Sequence, residues 1–318
     1  MIVTVTPNTG IDYTLVVPQL QLNATIRSSA QAWGMGGKAI DVAWILGKLG
    51  VPVLSLGFAA GFSGLQMERM LHERGVASDF IWVDGETRLN IVLVSSDGSG
   101  QSTFTSSNLN VSANHLAEFL DRYLAALEKA TCLVLGGTLP LGVPVQFYRQ
   151  VIEQARARDI PVVFDSSGAA LKAGIEARPS IVKPNQEELA VLLGSLPTSL
   201  TEIRHAAWKL QEMYGTGVIV TLGHEGALAV LGENSYQIPP LSLPVASSAG
   251  AGDGVSAGMA LALSRGEPLE NGLRYGFALA GAVVQTLATA DFRIEDYEAL
   301  LSQIKVIPLS PQPSSDDT

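Results

Sequence analysis

The 318 residues are 47% hydrophobic and only 16% charged, with 32 glycines and a formal charge of −10. This balance suits a soluble chain with a large buried parallel sheet. Its negative field disfavours nucleic acid and anionic membranes as partners. The single cysteine, Cys132, excludes an intramolecular disulfide and reads as a small core side chain in a reducing compartment. No leader of the secretory kind opens the chain, and no run approaches the ~20 apolar residues of a membrane helix. A cytoplasmic location is therefore expected.

In chain order, Ile2–Thr6 predicts a buried strand, residues 37–49 a helix, Leu54–Phe58 a strand and 64–74 a helix. Asn90–Ser95 and Gln101–Ser106 flank Asp97-Gly98-Ser99-Gly100, a hairpin signal. Helix 113–129 leads to strand Cys132–Gly136. Strand and helix then alternate: helix 144–158, strand Val162–Asp165, strand Ile181–Lys183, helices 185–193 and 201–214, strand Val218–Leu222. Such alternation predicts a parallel sheet covered on both faces. Helices near 251–265, 268–287 and 295–304 close the domain. Residues 11–32 and 87–106 break the pattern; both are β-like and can pair into a small separate sheet. The proline-rich polar tail from Pro308 reads as disordered.

Four motifs carry chemistry. The strongest is Gly250-Ala251-Gly252-Asp253-Gly254, leading into a helix of small and apolar residues. Glycines expose successive N–H groups at the helix start, which with the helix dipole form an anion site. A carboxylate there suits a reaction in which Asp253 accepts a hydroxyl proton while the amides stabilise a transferring phosphoryl group. The plain alternative is an aspartate capping its own helix. A dinucleotide fingerprint fails because Val255 occupies its last glycine position. Gly254-Val255-Ser256-Ala257-Gly258 fits the hydrolase elbow, but no histidine follows the serine. A Walker A sequence is absent.

The second motif, Gly36-Gly37-Lys38-Ala39-Ile40-Asp41, enters the first long helix with a mobile cation and a hydroxyl acceptor; a loop with a solvated lysine is the alternative. The third, Lys183-Pro184-Asn185-Gln186-Glu187-Glu188, follows a strand end, where open α/β sheets bind ligands. Asn185 and Glu188 can meet one metal–phosphate cluster or simply cap a helix. The fourth, Thr221-Leu222-Gly223-His224-Glu225-Gly226, runs a strand into a glycine turn and by itself reads as a hairpin. The histidines have no metal-ligand spacing.

Together and in this order, the four motifs resemble the PfkB, or ribokinase-like, carbohydrate kinases. The resemblance runs from Pro7-Asn8-Thr9-Gly10-Ile11-Asp12 to the C-terminal helices. It is nearest the branch of 1-phosphofructokinase and tagatose-6-phosphate kinase, through Thr87-Arg88-Leu89-Asn90, Asp165-Ser166-Ser167-Gly168 and Val182-Lys183-Pro184-Asn185-Gln186-Glu187-Glu188. The resemblance implies an α/β fold: a three-layer α/β/α core (residues 1–10, 33–86 and 107–307) with a mostly parallel sheet. It also implies a small β-sheet lid (11–32 and 87–106), followed by a tail at 308–318.

It further implies ATP and Mg²⁺ as cofactors, Asp253 as general base, and Gly250, Ala251 and Gly252 as its anion hole. Asn185 and Glu188 would place Mg²⁺ and phosphate, with Glu188 as the metal residue through water. Lys183, Thr221, Gly223 and Gly226 fall on the ATP side. Asp12, Gly36, Gly37, Lys38 and Asp41 fall on the sugar side. Arg88 would hold a sugar phosphate, with Thr138 nearby. Lids of this kind suggest a homodimer.

Three departures bear on the substrate. Asp41 stands where the family usually has asparagine, adding a charge that a sugar phosphate would oppose. Thr25 replaces a phosphate-binding lysine, leaving Arg27, Lys38 and Arg88 as candidate cations. Residues 286–291 lack the usual Asn- and Gly-rich run beside the adenine. The expected reaction is phosphoryl transfer from MgATP to a phosphorylated hexose. The rivals are a kinase of an unphosphorylated sugar or nucleoside, and a non-catalytic sensor.

Overall fold

Short apolar runs form strands and amphipathic runs connect them, so that one large sheet collects the buried strands. The computed structural model describes residues 1–106 and 109–310. Residues 107 and 108 of the expected core and 311–318 of the expected tail lie outside it. The chain opens with strands β1 (Ile2–Thr6), β2 (Gly10–Val17) and β3 (Ala30–Met35), then helix α1 (Lys38–Lys48), β4 (Val53–Ala59), α2 (Gly61–Glu73) and β5 (Ala77–Trp82). Strands β6 (Arg88–Ser95) and β7 (Gln101–Phe104) precede α3 (Ala113–Leu127), β8 (Cys132–Gly136), α4 (Phe147–Arg156), β9 (Val162–Asp165) and α5 (Gly168–Ile175). Next come β10 (Ile181–Val182), α6 (Gln186–Leu193), α7 (Leu200–Tyr214), β11 (Gly217–Thr221), β12 (Ala227–Leu231) and β13 (Asn234–Ile238). Helices α8 (Ala251–Arg265), α9 (Leu269–Val283) and α10 (Ile294–Leu301) end at β14 (Ile307–Pro308).

A 10-stranded sheet runs in the order β14-β13-β12-β11-β10-β9-β8-β1-β4-β5. From β5 to β11 neighbours are parallel, and β12, β13 and β14 add antiparallel strands at one edge. Side chains alternate between two cores. Cys132, Val134, Val163, Ile181 and Ile219 face α1, α8 and α9. Leu133, Leu135, Val162, Phe164, Val182 and Val218 face α3, α4 and α7. This gives the three-layer α/β/α arrangement; each fully buried valine, leucine, isoleucine or phenylalanine contributes about 1.5–3 kcal/mol.

A second, 4-stranded sheet has the order β3-β2-β6-β7. Strands β2 and β6 are parallel, with Asp12 opposite Asn90. Because strand side chains alternate, Asp12 and Asn90 are buried on one face while Tyr13 and Trp33 share the other. The Tyr13 and Trp33 rings pack with centroids 4.3 Å apart.

Two differences from the sequence reading stand out. Pro308 is not in the tail proper: it pairs with Tyr236 in β14, and Leu309 N–H donates to Ser235 O at 2.8 Å. Strands β5 and β13 and helix α5 had no counterpart in that reading, and β12 figured there only as the second arm of a hairpin after Thr221. Cys132 is fully buried in β8. Among the described residues no helix is long and apolar enough to cross a membrane.

Candidate active site

The carboxyl ends of the parallel strands converge with the inner face of the small sheet, as open α/β sheets place ligands. At the end of β9, Asp165 is 3% exposed and accepts from Lys183 Nζ at 2.7 Å through one oxygen and from Lys38 Nζ through the other. Burial alone would raise its pKa, but Lys183 and Lys38 outweigh it and hold the carboxyl below its ordinary range. Lys38 Nζ also donates to Glu188 Oε1 at 3.2 Å. Burial works against the Lys38 charge, yet Asp165 and Glu188 more than offset it, so its pKa is raised.

Lys183, 6% exposed, leans over the start of α8: a Cβ added to Gly252 would lie 3.1 Å from Lys183 Nζ. Gly250 caps that helix at φ 82°, a left-handed conformation suited to glycine. Asp253 N–H donates to Gly250 O at 3.1 Å, and Ala251 N–H to Ser248 O at 3.4 Å. The Gly252 N–H meets no backbone acceptor among the described residues. A bare amide, a helix dipole and an ammonium group thus share one corner, which favours an anion.

Asp253 is 8% exposed in the first turn of α8. Burial first, then the nearby Asp165 charge, push its pKa up to about 7, while Lys183, Lys38 and a hydrogen bond with Asp41 pull the other way. Asp41, in the first turn of α1, is buried as well. Burial, Asp253 and Asp12 all raise its pKa, well above the ordinary range; the Gly37 N–H, donating to its Oδ2 at 3.3 Å, opposes them.

Asp12 lies on the small sheet. Asn90 Nδ2 donates to its Oδ1 at 2.7 Å and Thr289 Oγ1 to its Oδ2 at 2.8 Å. Burial raises its pKa against these bonds and the charge of Arg88. The chain passes very close here: a Cβ on Gly36 would come 2.2 Å from Asp12 Oδ1. Arg88 Nη2 donates to Gly36 O at 3.4 Å, and its buried Nε has no hydrogen-bond partner among the described residues.

The structure brings Asp12, Gly36, Gly37, Lys38, Asp41, Arg88, Lys183, Glu188, Gly250, Ala251, Gly252 and Asp253 into this one neighbourhood. Thr138 follows β8 and accepts from Asn8 Nδ2 at 2.9 Å. Its loop is held by Tyr148 and Ser166, whose hydroxyls donate to Gly137 O at 2.8 and 2.9 Å. Asn185 and Glu188 make the capping box that was the plainer alternative: Glu188 N–H donates to Asn185 Oδ1 at 2.7 Å and Asn185 N–H to Glu188 Oε2 at 3.0 Å. Asn185 bridges Thr221, so the ATP-side residues Thr221, Gly223 and Gly226 neighbour it at the ends of β10 and β11. Strands β11 and β12 do form a hairpin there. Arg27 is different: it is exposed between β2 and β3 and makes no ion pair among the described residues.

Three residues absent from the predicted site belong to it geometrically: Asp165, Asn90 and Thr289. A charged residue closing an apolar strand was the signal for Asp165; nothing local marks Thr289.

Residues 4–295 match the pfkB family of carbohydrate kinases. The chain belongs to that family. It is 32% identical over 308 residues to a 1-phosphofructokinase of Bacillus subtilis, covering 96% of this chain and 99% of the relative. A 1-phosphofructokinase of Borreliella burgdorferi is 29% identical, with 96% and 98% covered. The fold superposes on Escherichia coli phosphofructokinase-2, solved in complex with potassium, with a TM-score of 0.87 and 28% identity over 95% of this chain and 98% of that one. This pfkB carbohydrate kinase thus combines the ribokinase-like core with a smaller second sheet.

Proposed function

We propose that this kinase transfers the terminal phosphoryl group of ATP to a hydroxyl of a sugar phosphate, of the fructose 1-phosphate or tagatose 6-phosphate kind. The observation that carries the reading is Asp253: a buried carboxylate beside the bare Gly252 amide and Lys183. Asp253 takes the proton of the accepting hydroxyl, whose oxygen bonds to the γ-phosphorus as the bond to the β-phosphate oxygen breaks and ADP leaves. Lys183 and the bare Gly252 amide, at the turn made by Gly250 and Ala251, face the charge that develops on the transferring group. A pKa near 7 leaves the base substantially ionised, yet basic enough to accept the proton.

Asp12, with Asn90 and Thr289 fixing its carboxylate, orients sugar hydroxyls. Arg88 binds the sugar's own phosphate, beside Gly36, Gly37 and Lys38. Thr221, Gly223, Gly226 and Asn185 line the nucleotide. Among the described residues no three His, Cys, Asp or Glu side chains converge on a metal position. Glu188 is part-exposed, with its oxygens accepting from Lys38 Nζ and Asn185 N–H, so it would hold a Mg²⁺ through water rather than directly. When bound, that ion would neutralise phosphate charge.

Sugars with and without phosphate, assayed for ADP release, test the reading. A phosphorylated ketohexose should be turned over fastest. Preference for an unphosphorylated sugar or nucleoside would replace it, and binding without turnover of any member would point to a sensor. Asp253→Asn should lower kcat by about a hundredfold or more.

A homodimer through the small sheet is part of the same proposal. Its outer face carries Trp33, 47% exposed, and Phe104, 53% exposed, and exposed apolar side chains grouped on one face mark a contact surface. Light scattering should give twice the 33.5 kDa chain mass, and Trp33→Glu should reduce it to one.

A further inference from the structure

Two acidic side chains from different helices meet in the buried site, and neither forms an ion pair with a lysine or arginine among the described residues. Asp41 comes from α1 and Asp253 from α8, and their carboxyl groups lie within hydrogen-bonding reach. Asp41 Oδ2 accepts from Gly37 N–H at 3.3 Å, but its Oδ1 is fully buried and no donor among the described residues reaches it. Two carboxylates in contact cannot both stay charged, and a buried acceptor facing another acceptor is costly unless a proton lies between them.

The surroundings decide which side keeps that proton. Facing Asp253 are the ammonium groups of Lys38 and Lys183, which favour its charge, and the carboxylate of Asp165, itself bound by both lysines. Facing Asp41 is the carboxylate of Asp12, which opposes a second negative charge, with Arg88 serving both. Two ammonium groups against one carboxylate thus face Asp253, whereas Asp41 faces one guanidinium that it shares with Asp12.

We propose that Asp41 is a positioning residue that stays protonated and donates its O–H to Asp253, fixing one oxygen of the base and leaving the other for the substrate hydroxyl. The proposal rests on Asp253 being the base. It makes the pair a single titrating unit that is active with one proton and inactive with two. It also removes the negative charge that Asp41 would otherwise bring near a sugar phosphate.

The test uses the full chain with MgATP and fructose 1-phosphate. Asp41→Ala should lower kcat by about tenfold or more while KM for both substrates stays within about threefold. Asp41→Asn, whose amide can donate to the same oxygen, should recover most of that loss. Infrared difference spectra of wild type against Asp41→Asn, at about pH 8 where Asp253 is ionised, should show the carbonyl band of a protonated carboxylic acid. Absence of that band overturns the proposal, whether or not the alanine variant folds. So does an unchanged kcat in Asp41→Ala. Retention of turnover by Asp253→Asn would instead sink the reading of Asp253 as base, and the infrared band would still report where the proton sits.

Discussion

Arg88 and Asp165 show how single charges are used in opposite ways. Arg88 is half-buried, and its Nε has no partner among the described residues although Asp12 and Asp41 lie near. A guanidinium held with spare donors is prepared for an anion that is not part of the chain. Arg88→Ala should raise KM for a sugar phosphate by the equivalent of ~1.5–3 kcal/mol, the range for a hydrogen bond to a charged group. An unphosphorylated sugar should be little affected. Equal effects on both would remove Arg88 from the phosphate. Asp165, by contrast, is fully committed, since both its oxygens hold lysines. Asp165→Asn leaves Lys183 buried without its counter-charge, and should destabilise the fold by about 3 kcal/mol or more. Urea unfolding measures this, and a midpoint equal to wild type would show that the pair contributes no stability.

At the scale of elements, the site depends on how closely β3 and the start of α1 approach β2. A methyl group on Gly36 would collide with Asp12 Oδ1 at 2.2 Å and with Asn90 Nδ2 at 2.9 Å. Gly36→Ala should therefore raise KM for the sugar by about tenfold or more, since small displacements of positioning groups are costly. The KM for ATP should barely move, and a change confined to ATP would place Gly36 on the other side of the cleft. The elements themselves were largely legible in sequence, because the parallel strands are continuous apolar runs and the intervening helices have clear periodicity. The β12–β13 hairpin has only half a signal in sequence: Gly232-Glu233 follows the apolar run Ala227–Leu231, but the second strand, Asn-Ser-Tyr-Gln-Ile, is mostly polar. Helix α5 is built of Gly-Ala-Ala-Leu-Lys-Ala-Gly-Ile, too uniformly small to show a polar face. Motif positions were legible for the same reason as the strands: they punctuate the ends of apolar runs. Pairings were not. Thr289 reaches Asp12 across 277 residues and Lys38 reaches Asp165 across 127, and no local pattern encodes such contacts.

Across the whole molecule, the site concentrates charge that the fold must hold out of water. Asp253 is the sharpest case, with a pKa displaced from 3.8 to about 7, mainly by burial. A carboxyl raised on folding binds its proton more tightly in the native state than in the unfolded one. Its contribution to stability is therefore complete below about pH 4 and is lost as pH rises through about 7. An asparagine in its place carries no such dependence. The stability of Asp253→Asn relative to wild type should thus grow by up to ~1.4 kcal/mol per pH unit between about pH 4 and 7, then level off. Paired carboxyls with lowered pKa such as Asp291 weaken both proteins alike in acid, so the difference between the two reports Asp253 together with the neighbours it is coupled to, Asp41 and Asp165. Parallel denaturant titrations across that range read it directly. A constant difference would mean that Asp253 ionises in the fold as it does in water. A growing one would show that the chain gives up stability near neutral pH to keep a base desolvated, as expected where function and stability compete.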